Sequence, residues 1–214
     1  MENKLQLDKD EGGQLVEATE YRCIIGSLRY LTHTRPDITY AVGVVSRFME
    51  KPTVKHQQAV KHILRYVKGT VNYGLAYKNE QSGKILVGFS DSDLAGDVVD
   101  MRSTGGMCFY LNKSLISWTS QTQRVVALSS CEAEYMAATL AACQSIWLCG
   151  LLEEISGQKI GPVILHVDNK SIIELMKNPV LHGRSKHIDV RFHFNYECIE
   201  SGKLIVKHVV TLKQ

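Results

Sequence analysis

The chain has 214 residues, of which 44% are hydrophobic and 22% are charged, ordinary values for a globular protein that argue against disorder. The longest apolar runs are far shorter than the roughly 20 residues of a membrane span, and the acidic start lacks the apolar stretch of a secretory signal. The six cysteines include no CxxC pair, which argues against a zinc ribbon or a disulfide framework. We expect a soluble, intracellular protein with one domain or two small ones.

Positive charge is concentrated in one part of the chain. Residues 1–20 contain two lysines against six acidic residues, residues 21–78 contain ten Lys and Arg against two acids, and residues 79–214 are nearly balanced. A basic segment is typical of a surface that contacts phosphate groups, although a solvated lysine-rich face gives the same pattern. We divide the chain into an acidic N-terminal segment (1–20), a basic module (21–78) and a third part (79–214).

The basic module is predicted to be three helices. Apolar residues recur at helical spacing over 17–31, a second helix is predicted over 37–50, and a third over 54–69. The apolar face of the third helix contains Val60, Ile63, Leu64 and Val67. Its other face, which we expect to be exposed and to contact phosphates, carries Lys55, Lys61, Arg65 and Lys68.

The third part combines strands and helices. Strand-forming runs occupy 84–91, 104–112, 114–120 and 123–130, and further strands are predicted over 162–169 and 203–210. A long helix is predicted over 131–155, and shorter ones over 169–178 and 187–202. The long helix carries an apolar stripe of Met136, Leu140, Cys143, Trp147 and Leu151. This order predicts an α/β fold with helices packed on a mixed sheet.

Three acidic residues lie at positions where a contribution to solubility does not explain their presence. Asp91 ends the first apolar strand, Asp168 ends the strand over 162–169, and Glu134 lies in the first turns of the long helix, where neighbouring alanines allow close packing. Carboxylates that lie close together repel one another unless hard cations neutralise them. Two Mg²⁺ ions about 3.5–4 Å apart can activate a water molecule to attack a phosphodiester. Taken singly, each acid also suits a cap or a turn. Asp93 is a second candidate beside Asp91.

Longer motifs resemble one known family. The stretch over 21–70, from YRCIIGSLRY to LRYVKGT, resembles the region after the polymerase palm in copia-type retrotransposon Pol polyproteins. The stretch LVGFSDSDLAGDVVD, with the following residues up to EAEYMAA, resembles the start of that family's ribonuclease H domain, and VDNKSIIELMKN to HIDVRFHF resembles its second half. The resemblance covers residues 15–214. It implies a ribonuclease H-like, mixed five-stranded sheet with flanking helices, preceded by a small helical subdomain.

The resemblance also implies a function and its residues. It assigns Asp91, Glu134 and Asp168 as catalytic carboxylates that hold Mg²⁺ or Mn²⁺, with two ions in a complete site, and it implies cleavage of the RNA strand of an RNA–DNA hybrid. The acids follow the order Asp, Glu, Asp, whereas integrases and transposases of similar fold have the glutamate last. The resemblance places Arg184 and Lys186 near a nucleic-acid backbone. Independently, Arg102 and Ser103 suit phosphate oxygens, or else form a turn.

Two departures from the family leave alternatives open. The sequence has no polymerase YxDD motif, so a reverse-transcriptase palm is expected to be a partner from the same or another polyprotein. The family continues past HVVTLKQ with a segment similar to LADIFTK, whose aspartate is a fourth metal ligand, and we expect its absence to slow cleavage. A retroelement remnant that binds nucleic acid without cleaving is therefore one alternative, and a purely structural subunit is another. The expected location is the cytoplasm, a virus-like particle or the nucleus.

Overall fold

The structure, a computed structural model, describes residues 7–9, 12–78, 83–178 and 186–210. The first part contains the helices α1 (Ala18–Leu31), α2 (Thr39–Val45) and α3 (Val54–Gly69), with 3₁₀ turns at Pro36–Ile38 and Ser46–Phe48. Buried side chains from the three helices and the turns beside them form one core, which includes Tyr21, Ile25, Leu28, Val45, Phe48 and Ile63. We call this part the helical module.

The second helix of this module is shorter than its sequence predicts. The run expected over 37–50 is divided into a 3₁₀ turn, α2 and a second 3₁₀ turn. The Ser46 hydroxyl donates to the Val42 carbonyl at 2.6 Å, one turn back, which is a contact that bends helices. Gly43 and the neighbouring valines also have low helix propensity, so little opposes the break.

The second part is a five-stranded sheet with helices, which we call the sheet module. The strands are β1 (Leu86–Ser92), β2 (Thr104–Leu111), β3 (Ser114–Thr122), β4 (Val163–Val167) and β5 (Leu204–His208), in the order β3-β2-β1-β4-β5. The first three strands pair antiparallel, whereas β4 pairs parallel with β1 and with β5. The helices are α4 (Ser130–Ser156), α5 (Lys170–Lys177) and α6 (Lys186–Glu200). The predicted mixed five-stranded sheet is confirmed.

Helix α4 buries a different face from the one its apolar stripe predicts. Its sheet-facing side is rich in alanine, whereas Leu140, Trp147 and Leu151 are exposed and Met136 alone of the aliphatic and aromatic stripe residues is buried. The helix lies so close to β2 that a Cβ at Gly105 would be 3.3 Å from the Ala137 Cβ.

The length and apolar composition of α4 would also suit a membrane span, but half of its most apolar stretch is buried inside the fold, as in a core helix.

The strand predicted over 123–130 is absent, and these described residues form a loop into α4. Val125, Val126 and Leu128 are exposed in this loop, so no packing against a sheet supports their preference for strand conformation. The Ser129 side chain accepts the Glu132 N–H and caps α4 instead.

Two side chains, Trp118 and Arg47, make polar contacts between the helical module and the sheet module. The Trp118 indole N–H donates to the Thr32 carbonyl at 2.9 Å. Arg47 bonds the Thr104 hydroxyl at 2.8 Å and the Asp97 carboxylate at 3.2 Å. The Asp97 side chain is 10% exposed, and its carboxylate also accepts the Val99 N–H. Arg47 therefore compensates a buried charge in the loop that follows β1.

Replacing Arg47 by Ala is expected to destabilise the protein by about 3 kcal/mol, because it leaves the Asp97 carboxylate buried without a cation. Urea unfolding measures this loss. Arg22→Ala, which removes an exposed arginine bonded to the Met49 carbonyl, is the matched control and should cost much less. Arg47→Ala with Asp97→Asn should recover stability, since Asn keeps an oxygen acceptor without the charge. Equal losses for Arg47→Ala and Arg22→Ala would contradict this role.

Candidate active site

Two of the predicted carboxylates lie at the same edge of the sheet. Strands β1 and β4 run parallel with Phe89 opposite His166, and these two rings stack with centroids 4.9 Å apart. Asp91 lies two residues beyond Phe89, and Asp168 lies two residues beyond His166. The parallel register therefore places the two acids side by side at the carboxyl ends of adjacent strands.

Glu134 reaches the same edge from the start of α4. The helix begins at Ser130, and its alanine-rich face, with Ala133, Ala138 and Ala141 fully buried, holds the first turns close to the sheet. The Glu134 carboxyl group interacts with the side chains of Asp168 and Asn169. The structure thus brings the three predicted acids to one end of the sheet.

The acids perturb one another. Burial, the nearby Asp168 carboxylate and the more distant Asp91 charge raise the pKa of Glu134 to about 7, although the Asn169 amide opposes the shift. Burial also raises the pKa of Asp91, and the charges of Asp168 and Asp93 add to this effect. The Glu134 Oε2 atom is buried and has no hydrogen-bond partner among the residues that the structure describes. Such a carboxylate oxygen is a candidate ligand for a cation.

The carboxylate oxygens of the three acids are suitable ligands for a hard divalent cation, but they are not arranged as a complete ligand set. Within the described residues, no group of three or more His, Cys, Asp or Glu side chains is gathered tightly enough to hold a metal ion. One oxygen of Asp91 is engaged locally, since its Oδ1 accepts the Ser92 N–H at 2.7 Å. Among the three acids, the direct interaction is the one between the Glu134 and Asp168 side chains.

The acids predict an unusual pH dependence for the metal-free protein. The folded-state pKa of Glu134 lies at about 7, above its ordinary value of 4.5, so ionisation of this group disfavours the fold. The contribution of this group to the free energy of unfolding therefore increases as the pH falls from about 7 to 4.5. It decreases as the pH rises through the same range. Glu134→Gln should remove this dependence and raise stability at pH 8, as urea unfolding in chelator between pH 5 and 8 will measure. Glu132→Gln, at an acid that accepts the Leu128 N–H, is the matched control and should retain the dependence.

Asp93, the second candidate beside Asp91, holds a loop. Its Oδ1 accepts the Thr104 N–H at 2.5 Å, and its own N–H donates to the Thr104 carbonyl at 3.2 Å. A Cβ at Gly96 would collide with the Asp93 carboxylate, so a larger residue there would have to displace this side chain. Asp93 thereby fixes the turn that follows Asp91.

Two residues near the acids were not predicted. Asn169 caps α5 by accepting the Ser171 N–H at 2.9 Å while its side chain also interacts with Glu134. His208 Nε2 donates to the Asp168 carbonyl at 3.0 Å. The stretch VDNKSIIELMKN could have indicated Asn169, but His208 is recognised only once β5 is known to pair with β4.

The predicted phosphate contacts fall into several groups. Lys61, Arg65 and Lys68 are exposed on α3, as expected, but Lys55 is half-buried and its Nζ lies 3.1 Å from Asp8 Oδ1. Leu64, expected on the apolar face, is 41% exposed. We call Lys61, Arg65 and Lys68 the basic face.

The remaining predicted contacts lie in the sheet module. Arg102 is partly exposed in the loop after β1. Ser103 is fully buried and its hydroxyl accepts the Ala95 N–H at 3.1 Å, so its expected phosphate contact is corrected to a role in holding the loop. Lys186 begins α6, where its side chain lies outside the described part of the structure, as does Arg184 altogether.

A groove of about 960 Å³ adjoins Asp91 on the face of β1 opposite its buried side chains. Val87, Phe89 and Asp91 alternate onto this face, and the helical module contributes Tyr40 to the groove wall. Asp91 is thus accessible from this groove, whereas Glu134 approaches from the α4 side.

A solved structure shares the fold. The foamy viral protease-reverse transcriptase in complex with dsDNA aligns with 90% of this chain and 38% of its own, at 13% identity and a TM-score of 0.52. At this identity the likeness concerns the fold alone. It extends over both the helical and the sheet modules.

Relatives in sequence are more informative. The retrovirus-related Pol polyprotein from transposon RE1 of Arabidopsis thaliana is 44% identical over 203 residues, which are 95% of this chain and 14% of that protein. The secreted RxLR effector protein 161 of Plasmopara viticola is 48% identical over 129 residues, which are 60% of this chain and 90% of the effector. No protein-family profile matches the chain. Over almost its whole length this chain is therefore homologous to retrovirus-related Pol polyproteins of transposons, and it spans about one seventh of the polyproteins that it matches.

Proposed function

We propose that this chain is the ribonuclease H part of a copia-type Pol polyprotein and cuts the RNA strand of RNA–DNA hybrids during reverse transcription. The observation that carries the proposal is the buried, unpartnered Glu134 Oε2 of a carboxyl group that lies against Asp168, at the sheet edge where Asp91 also stands. Membership of the transposon Pol family supports the choice of reaction.

Asp91, Glu134 and Asp168 would hold Mg²⁺ or Mn²⁺. Two bound cations would supply an activated water and stabilise the leaving 3′ oxygen of the RNA. The chain's own residues orient the ligands: the Asn169 amide interacts with Glu134, and His208 fixes the Asp168 backbone. In the metal-free protein Glu134 retains a proton over part of the neutral range, and a bound cation would favour the ionised form.

The duplex would be bound through its backbone. The basic face presents three cations on successive turns of α3, and Arg102 lies in the loop after the strand that carries Asp91. Phosphate contacts of this kind position a duplex without reading its sequence. Discrimination of RNA from DNA would rest on contacts with the 2′-hydroxyl groups. Within the whole polyprotein, a polymerase palm is the expected partner, and the cytoplasm the expected location.

A second function, nucleic-acid binding without cleavage, is favoured by two observations. The described residues contain no closed set of three metal-ligating side chains, and Asp91 is engaged with the Ser92 N–H. Such a protein would bind hybrids through the basic face and leave them intact.

One assay distinguishes the two functions. A hybrid labelled on either strand is incubated with the chain in Mg²⁺, in Mn²⁺ or in EDTA. Cleavage of the RNA strand alone, dependent on the cation, is the expected result. Retention of the hybrid in a binding assay with both strands intact would overturn the proposed nuclease in favour of the binding protein.

A further inference from the structure

Gln123 connects the two backbone segments that carry catalytic acids. It lies directly after β3 and is 6% exposed. Its side-chain nitrogen donates to the Ser92 hydroxyl at 3.1 Å and to the Ala133 carbonyl at 2.7 Å. Ser92 follows Asp91 in the chain, and Ala133 precedes Glu134. A single amide group therefore joins the end of β1 to the start of α4.

The orientation of this amide follows from its partners. The Ala133 carbonyl can only accept a hydrogen bond, so the side-chain nitrogen must face it. In this orientation the Gln123 Oε1 is buried and has no hydrogen-bond partner among the described residues. Burying an acceptor without a partner is unfavourable. The two hydrogen bonds from the nitrogen are therefore kept although this orientation leaves the oxygen without a partner.

The backbone of Gln123 is held as well. Its N–H donates to the Ser103 carbonyl at 2.8 Å, in the loop that Asp93 fixes. The Ser92 hydroxyl in turn donates to the Asp93 carbonyl at 3.0 Å. These bonds make the Gln123 side chain a rigid spacer rather than a mobile surface group.

We propose that Gln123 is a positioning residue that sets the separation of Asp91 and Glu134, and thereby the affinity of the site for divalent cations. This inference rests on the proposed function, since it assumes that the acids bind a cation. Gln123 does not touch the cation. It holds the strand end and the helix start at a spacing that the carboxylates can share.

Gln123→Met tests this role, because Met preserves length and volume but lacks both donors. Gln121→Met is the matched control, at an exposed glutamine two residues away on β3. Thr139→Val controls for stability, since it removes a buried hydrogen bond from Asn195 that joins α4 to α6 rather than to β1. Mn²⁺ affinity is measured by calorimetry on the folded proteins, with melting temperatures recorded for each.

Gln123→Met is expected to weaken Mn²⁺ binding by about tenfold or more, the usual effect of losing a residue that orients metal ligands. Gln121→Met should bind as the parent does. Thr139→Val should melt earlier without losing Mn²⁺ affinity. Mn²⁺ binding by Gln123→Met within twofold of the parent would overturn the proposal, as would an equal loss in Thr139→Val.

Amide hydrogen exchange without metal separates this inference from the proposed function. If the parent binds no Mn²⁺, the proposed nuclease fails, and exchange still decides whether Gln123 holds the two segments together. The Asp93 and Ala133 amides, which donate to the Thr104 and Ser129 carbonyls, should exchange faster in Gln123→Met than in either control. Unchanged exchange at both amides would overturn the positioning role.

Discussion

Asp91→Asn is expected to lower cation-dependent cleavage of an RNA–DNA hybrid by about a thousandfold, equivalent to about 4 kcal/mol of transition-state stabilisation. The substitution removes one carboxylate charge from the sheet edge shared with Asp168 and Glu134, and Asn is a weaker ligand for Mg²⁺. Single-turnover cleavage of a hybrid labelled on the RNA strand measures the loss. Hybrid affinity should be nearly unchanged, because the basic face is intact.

Asp93→Asn is the matched control for Asp91. The same substitution two residues along the chain leaves an oxygen that can still accept the Thr104 N–H. Cleavage by Asp93→Asn should stay within about tenfold of the parent, a difference of about 1.4 kcal/mol. If Asp93→Asn were as defective as Asp91→Asn, Asp93 would belong among the metal ligands and the assignment of Asp91 alone would be wrong.

Neutralising the basic face is expected to have the second large effect. Replacing Lys61, Arg65 and Lys68 together by Gln should weaken hybrid binding by about one to two orders of magnitude at 0.1 M salt. The slope of log affinity against log salt should fall by about 0.9 for each phosphate group that the variant no longer neutralises, on the scale known for B-form duplexes. Fluorescence anisotropy over a salt series measures both quantities.

A charge-matched variant controls for the overall field of the protein. Lys84, Lys159 and Lys203 are exposed on the sheet module, and changing all three to Gln removes the same net charge. This variant should keep most of the affinity and of the salt slope. Equal slopes for the two triple variants would mean that the basic face is only a solvated surface.

Apart from the strand expected over 123–130, the order of strands and helices in the sheet module could be predicted because each element has a local signal. Alternating or continuous apolar runs indicated β1 and β4, and the long apolar helix was evident from its length. The buried face of α4 was not predictable from large apolar residues. The close approach of α4 to the sheet at Gly105 favours alanine on the buried face of the helix, and Leu140 and Trp147 are left on the exposed face.

The candidate site was predictable in position but not in detail. Acids at the ends of β1 and β4 and near the start of α4 indicated a shared edge. The hydrogen bonds that hold this edge come from residues distant in sequence, such as Gln123 and His208, and depend on strand pairing. The surroundings of Lys55 and Ser103 could not be predicted for a similar reason, since the Asp8 carboxylate and the Ala95 N–H that engage them are brought near only by folding.

The central claim is that Asp91, Glu134 and Asp168 together hold divalent cations. Crystals of the chain soaked in Mn²⁺ and measured at the manganese absorption edge test this claim most directly, because anomalous scattering locates the ion without reference to activity. We predict anomalous peaks among the three carboxylates, with Asp91 released from the Ser92 N–H, and two peaks about 3.5–4 Å apart when a hybrid is bound. Full Mn²⁺ occupancy elsewhere on the protein, with no peak between these carboxylates, would contradict the account.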